Sequence, residues 1–231
     1  MNFIIKLIIN NPLSNIVKLK NNRIAGIFKD KLYIFSFDNN FSSYKLEKQI
    51  DIDNAKRINI FSNNRLILFG NNIIQFYEEI NDYDYQKISV ISFYKGIINK
   101  VLEINKSLFA FINDEILYFY NMKTIKKEYE AKNYNNLYLF KNDILCLTQK
   151  QIKLFLMDIK TKEILFNIEI GYSNHFRYKI ILDLINTGGD NFLIISEYSR
   201  AGRGTWASLY ILTEFLKNDN DKYVEGSNIE I

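Results

Sequence analysis

From Asn105 the chain reads NKSLFAFINDEILYFYN, and the order of residue types along this stretch decides the fold class. Polar Asn105-Lys106-Ser107 leads into Leu108-Phe109-Ala110-Phe111-Ile112, five apolar residues without alternation. Asn113-Asp114-Glu115 interrupts the run, and Ile116-Leu117-Tyr118-Phe119-Tyr120 begins a second. Short runs rich in Ile, Phe, Tyr and Leu, bounded by turn formers, read as β-strands. A run apolar at consecutive positions suits a strand covered on both faces. Short polar turns tolerant of positive φ are what tight hairpins need. The stretch predicts a hairpin whose first strand is central to a sheet.

The same grammar recurs along the chain. It appears in NNRIAGIFKDKLYIFSFD from Asn21, NNRLILFGNNIIQFYEE from Asn63, KNDILCLTQKQIKLFLMD from Lys141 and GGDNFLIISEY from Gly188. The third residue of each unit is Arg23, Arg65, Ser107, Asp143 and Asp190, so successive units are offset by 42, 42, 36 and 47 residues. The turns fall at Lys29-Asp30, Gly70-Asn71-Asn72, Asn113-Asp114-Glu115 and Gln149-Lys150-Gln151. More alternating, polar stretches follow, such as SYKLEKQIDI (43–52) and KEILFNIEI (162–170), which suit half-exposed outer edges. The period matches that of four-stranded propeller blades. The expected fold is all-β, a β-propeller of about five four-stranded blades over residues 1–216. A polar segment, 217–231, forms either a tail or an edge strand. No segment holds a helical i, i+3, i+4, i+7 pattern over three turns with caps.

Within this frame a family resemblance appears. QIKLFLMDIKTKEIL (151–165) resembles the third strand and following turn of a WD-repeat blade: an apolar strand, Asp158 at its end, then a Lys/Thr turn. ILYFYNMKTIKKEYE (116–130) is similar. The Trp-Asp pair of that family is absent, with Phe155 or Tyr120 near the Trp position. The Gly-His pair is absent too, since His175 is the chain's one histidine. The resemblance implies a propeller that serves as a scaffold for protein partners, and it transfers no functional residue.

Two closures of the ring are open. In one, the N-terminal strand Asn2–Ile9 pairs as the outer strand of the last blade, beside 178–185, 191–197 and 206–213, which removes both open edges. In the other, the chain is part of a larger propeller completed elsewhere.

Composition narrows the function classes. The apolar fraction is 48% across 231 residues, which excludes disorder for the chain as a whole. The single Cys146 lies in Ile144-Leu145-Cys146-Leu147, reads as a small buried hydrophobe, and points to a reducing, cytoplasmic setting. The net charge of +4 is dispersed, with no Lys/Arg block longer than Lys126-Lys127, so no nucleic-acid footprint is expected. No apolar run approaches the length of a membrane-spanning helix, and MNFIIKLIIN lacks the basic start and cleavage site of a signal peptide. The abundance of Asn, Ile, Lys, Tyr and Phe reads as the codon bias of an AT-rich genome, so asparagines are discounted as site signals.

The most irregular segment is Glu197–Trp206, which replaces a short turn with a longer loop holding two arginines, two glycines and the only tryptophan. Arg and Trp are enriched at binding hot spots, which makes Arg200, Arg203 and Trp206 the candidate partner-binding residues. His175 without a Cys or acidic cluster is no metal site. Asp51, Asp53, Asp114, Glu115, Asp143 and Asp183 fall at turns and strand ends, where carboxylates serve the local backbone. The aromatic strings Phe76-Tyr77 and Tyr118-Phe119-Tyr120 read as packing between blades. No catalytic residue, cofactor or metal is expected. The reading is a non-catalytic scaffold mediating protein–protein interaction. Its competitor is a propeller-type glycosidase or lyase, whose paired carboxylates would stand about 5–9 Å apart in a central channel. A lectin propeller would repeat the same aromatic and acidic residues in every unit, and these units diverge too far.

Overall fold

Doubly apolar strands flanked by half-exposed ones fold here as antiparallel meanders. The computed structural model describes residues 14–40, 43–81, 84–141, 143–149, 153–169, 178–188, 191–202, 205–217 and 223–230, with side chains between Asn15 and Asn167. Every regular element among them is a strand, so the all-β expectation holds.

The first sheet pairs β1 (Ser14–Lys18), β2 (Arg23–Phe28), β3 (Lys31–Phe37) and β4 (Tyr44–Asp51) in chain order. The second pairs β5 (Ala55–Ile60), β6 (Leu66–Asn81) and β7 (Asp84–Ile97). The third pairs β8 (Val101–Asn105), β9 (Leu108–Asn113), β10 (Ile116–Asn121) and β11 (Lys127–Lys132). The fourth holds β12 (Asn136–Lys141), β13 (Ile144–Gln149), β14 (Lys153–Asp158) and β15 (Ile164–Glu169). The fifth holds β16 (Tyr178–Gly188), β17 (Asn191–Gly202), β18 (Thr205–Lys217) and β19 (Tyr223–Glu230). The chain forms two compact units: one runs through Asp114 and includes Tyr118–Glu130, the other comprises Glu115–Leu117 and the chain from Ala131 onward.

The long β6 conceals a reversal. Arg65 Nε donates to Glu78 Oε1 at 2.9 Å. Thirteen residues of extended chain would span roughly 43 Å, so the chain folds back between these two residues. The buried faces agree, because Leu66 and Leu68 share one core with Tyr77, while Ile67 and Phe69 share another with Ile74 and Phe76. This exchange of parity fits a hairpin folding at Asn71-Asn72, where Asn72 has a φ of 49°. The second sheet thus presents four arms, and the turn expected at Gly70-Asn71-Asn72 is where the chain reverses. Lys29 and Asp30, and likewise Asp114 and Glu115, have two successive positive φ values, the conformation that suits the twist of two-residue hairpins. Residues 150 and 151 lie outside the described residues.

Within the first unit the three sheets stack face to face. One core joins Ala25, Ile27, Leu32 and Ile34 of the first sheet to Ile58, Leu66, Leu68 and Tyr77 of the second. The next joins Ile67, Phe69, Ile74 and Phe76 of the second sheet to Val101, Phe109 and Phe111 of the third. β9 is buried at all six positions, as its unbroken apolar run requires. Aromatic pairs fill this second core, with Phe76 and Phe109 at 5.4 Å between centroids and Phe111 and Tyr118 at 5.3 Å. Such pairs add about 0.5–1.5 kcal/mol each beyond the area they bury.

Polar brackets recur at the repeat period. Arg23, almost fully buried, donates from Nη2 to Glu79 Oε1 at 2.5 Å and from Nε to the Lys20 carbonyl at 3.1 Å, tying the first sheet to the second. Arg65 donates from Nη1 to the Met122 carbonyl at 2.8 Å, tying the second sheet to the third. Beside the first bracket, burial pushes the Tyr85 phenol up to about 12, reinforced by the Glu79 carboxylate and opposed by Arg23.

The turn after the third strand is held by its last residue. Asp158 Oδ1 accepts from the backbone N–H groups of Lys160 and Thr161, each at 2.8 Å, and Asn121 Oδ1 accepts from those of Lys123 and Thr124, each at 3.0 Å. These are the strand-end positions on which the WD-repeat resemblance was drawn. Here each side chain closes a local turn. The Thr161 backbone bond, the largest cause, holds the Asp158 carboxyl below its usual range.

In the last sheet the place beside β18 is taken by the C-terminal segment expected to be a tail or an edge strand. The fourth strand is β19, whose Tyr223 lies opposite Lys217 and whose Ile229 lies opposite Leu212. A hairpin to the adjacent segment closes a short loop, which costs less chain entropy than recruiting the opposite end of the chain. Asn2–Ile9 lies outside the described residues.

Two substitutions check these assignments. Leu145 is fully buried in β13, opposite Leu139 and Met157. Leu145→Asp is expected to cost about 3–5 kcal/mol by leaving an unpaired charge in the core, while Glu163→Lys at the exposed turn stays within about 0.5 kcal/mol. Equal denaturant midpoints for the two variants would refute the placement of strand and turn. At Asp158, Ala is expected to cost about 1 kcal/mol through loss of the turn acceptor, and Asn to cost less, since Asn121 already does that work in the third sheet. A carboxylate whose folded pKa is lowered contributes stability above its ordinary range and loses it as pH falls through that range. The gap between the native chain and Asp158→Asn should therefore narrow on going from about pH 6 to about pH 3, and a gap that widens would refute the assignment.

Candidate interaction groove at the first strands

The first strands of the stacked sheets are sequences of mixed polarity, such as Ala55-Lys56-Arg57-Ile58-Asn59-Ile60. Their apolar residues feed the cores, and their polar residues reach sideways to the next sheet. Asn15 Nδ2 donates to the Lys56 carbonyl at 3.1 Å. Arg57 Nη1 donates to the Asn99 carbonyl and to Asn99 Oδ1, the latter at 2.9 Å. Asn59 Nδ2 donates to the Val101 carbonyl at 3.1 Å. Ser62 donates from its backbone N–H to Glu103 Oε2 at 2.7 Å and from Oγ to Glu103 Oε1 at 2.5 Å. The partners advance together, 57 with 99, 59 with 101 and 62 with 103, so β5 and β8 run side by side in the same direction, offset by one repeat.

Where these strands end, an open groove of about 490 Å³ forms. Its floor is Leu19 and Phe61, equivalent residues one period apart and both buried. Exposed Lys18 and Lys20 stand on one side, with Ser62, Asn64 and Glu103 on the other. The floor can take an apolar side chain. The two ammonium groups offer an anchor to an acidic one, while Glu103 is already committed to Ser62. Sequence reasoning missed this groove. The 42-residue spacing of Leu19 and Phe61, each just before an Asn-rich turn, is the signal that could have shown it.

The sequence candidates fall elsewhere. Glu197–Trp206 is not a long loop: β17 and β18 continue through it in register, with Arg200 opposite Ala207, Ala201 opposite Trp206 and Gly202 opposite Thr205. Arg200 and Trp206 are therefore strand residues at the end of a long hairpin, because the cross-strand ladder outweighs the loop-forming composition. Arg203 lies outside the described residues, as does His175. Cys146 is fully buried between Tyr138 and Leu156, as a small hydrophobe would be.

Most of the candidate carboxylates are engaged on the surface. Asp51 pairs with Lys31 at 3.3 Å, Asp53 with Lys87 at 3.6 Å, Asp114 with Lys95 at 2.9 Å and Asp143 with Lys160 at 3.4 Å. Glu115 accepts from Asn135 Nδ2 at 3.2 Å. Asp183 is a strand residue of β16, opposite Ile195. Among the described residues no group of three or more His, Cys, Asp or Glu side chains could hold a metal ion, and no helix is long and apolar enough to cross a membrane.

No protein-family model matches the chain, and no curated protein matches it.

The Asn59 bracket can be tested directly. Asn59→Asp replaces the donor to Val101 with a second acceptor, an expected loss of about 1–3 kcal/mol at neutral pH. A protonated carboxyl can donate again, so part of the loss should return below about pH 4. A pH-independent penalty in thermal melts would show that the contact does not contribute.

Proposed function

We propose that the chain is a propeller-type scaffold that binds a protein partner and catalyses no reaction. The observation that carries this reading is the stack of meander sheets whose first strands lie side by side at the repeat period, the arrangement of successive propeller blades. A stack of this kind spends its polar residues on holding sheets together, and the candidate carboxylates in surface ion pairs fit that use. The groove floored by Leu19 and Phe61, with Lys18 and Lys20 beside it, is the surface on which a partner segment with an apolar and an acidic side chain would seat. The end of the β17–β18 hairpin, with Arg200 and Trp206, is a second contact in this reading, to which the sequence adds Arg203 as a candidate. The buried single cysteine fits a reducing compartment such as the cytoplasm.

The test is crosslinking mass spectrometry of the tagged chain in its source cell. Crosslinks from Lys18 and Lys20 should converge on one partner. The Lys18→Glu, Lys20→Glu double variant should lower affinity for that partner at least about tenfold without moving the melting temperature. An affinity unchanged by the double variant would remove the groove from the interface. Turnover of a glycoside panel that depends on one of the acidic residues would replace the scaffold with an enzyme.

A further inference from the structure

In an antiparallel meander the turns after the first and third strands lie at one end of the sheet, and the turn after the second lies at the other. In the first unit the ends of the first kind stand together. The Met122 carbonyl accepts from Arg65 and the Met122 backbone N–H donates to the Ser107 carbonyl at 2.7 Å, so turns of the second and third sheets meet there. Leu19 and Phe61 join those of the first and second. This shared end carries unmatched positive charge. Lys18, Lys20, Lys106, Lys123 and Lys126 are exposed on it, and among the described residues none of the five has a carboxylate partner. The described carboxylates nearest these turns are engaged by other groups, Glu79 by Arg23, Glu78 by Arg65, Glu103 by Ser62 and Asp84 by Lys48. The opposite end is balanced instead: Asp30, Asp51, Asp53 and Asp114 hold Lys56, Lys31, Lys87 and Lys95 in turn.

We propose that this end binds an extended acidic segment of a partner protein, which seats an apolar side chain on Leu19 and Phe61 and runs on to Lys106 and Lys123 of the third sheet. The proposal rests on the scaffold reading and gives its partner a chemistry. Carboxylates along the segment supply the negative charge that the end lacks, and lysines, point charges on flexible stems, accept them at uneven spacing. Sheets packed face to face lie about 10 Å apart, so crossing two spacings takes about six residues of extended chain. Two observations favour a protein segment over a nucleic acid. The lysine-bearing turns, 18–22, 105–107 and 122–126, expose no aromatic ring, whereas single-stranded nucleic acid is held by stacking on such rings. They expose no arginine either, because the guanidiniums of Arg23 and Arg65 are spent between the sheets. The apolar floor beside the charges suits a hydrophobic side chain better than a phosphodiester backbone.

The probe is a fluorescein-labelled peptide of about twelve residues, glutamate and serine with one leucine near its start, titrated with the full chain and read by fluorescence anisotropy. The native chain should bind it with a Kd of about 1–100 µM at about 50 mM salt, and at least about tenfold more weakly at about 500 mM. Lys106→Glu combined with Lys123→Glu should lower the affinity at least about tenfold with unchanged melting. Lys29→Glu combined with Lys132→Glu makes the same change in net charge at exposed positions of the other end, and should leave the affinity within about twofold. No binding by the native chain, or equal losses in the two double variants, would overturn the proposal. A loss confined to Lys18→Glu with Lys20→Glu would keep the groove and overturn the path to the third sheet. Tighter binding of an oligonucleotide of about twelve thymidines, lost in the Lys106→Glu, Lys123→Glu variant, would overturn the choice of partner and assign the end to nucleic acid. The peptide stands in for the native partner, so its failure leaves the crosslinking test of the scaffold reading intact.

Discussion

A strand that is apolar on both faces needs a cover on each side, and the rest of the first unit follows from that requirement. Leu66 and Leu68 face one way in the second sheet, Ile67 and Phe69 the other, and all four are buried. Burying side chains of this size is worth about 1.5–3 kcal/mol each, so leaving one face wet would cost a large part of the net stability of a domain. The second sheet therefore lies between two others. Once sheets stack in this way with equal meander topology, their first strands come to lie together at one edge. The chain between them returns each time over about the same length, which is why the period is near 42.

Apolar cover alone leaves sheets free to slide, because it is non-directional. The polar brackets restrict that freedom. Arg23 reaching Glu79 fixes the first sheet to the second, Arg65 reaching the Met122 carbonyl fixes the second to the third, and Asn59 on Val101 fixes the first strands of those two at another point. A buried guanidinium is costly to desolvate and is weak evidence of stability by itself. Its planar donor fork is satisfied in few geometries, and here that property sets the alignment between sheets.

The repeat, the hairpin turns and the doubly apolar strands were legible because each depends on local grammar: run length, turn chemistry and lack of alternation. The first strands were less legible. Ala55–Ile60 has three charged or amide residues in six, and reads as a link between units until it is seen that those side chains bond sideways. Discounting asparagine as codon bias hid the bracket at Asn59, which composition cannot distinguish from an asparagine in a turn. The segment 197–206 was misread for a similar reason. Gly202, Gly204 and two arginines look like a loop, but a ladder already running through Glu197 opposite Tyr210 continues as long as backbone partners are available.

What separates one sheet from another bears most directly on function. The cores are near-equivalent, since any apolar set of the right volume will serve. The differences gather at the two edges of the stack. At the inner edge, Leu19 and Phe61 keep the equivalence while the residues around them change, so a common floor carries an individual rim. At the outer edge, β4 and β11 carry charge along their length, while β7 holds the uncharged stretch Ile88–Tyr94 between its charged ends. A fold that repeats its core leaves these edges free to vary, because substitutions there cost little stability. In the scaffold reading proposed above, recognition would belong on the edges, where units that share one plan have come to differ.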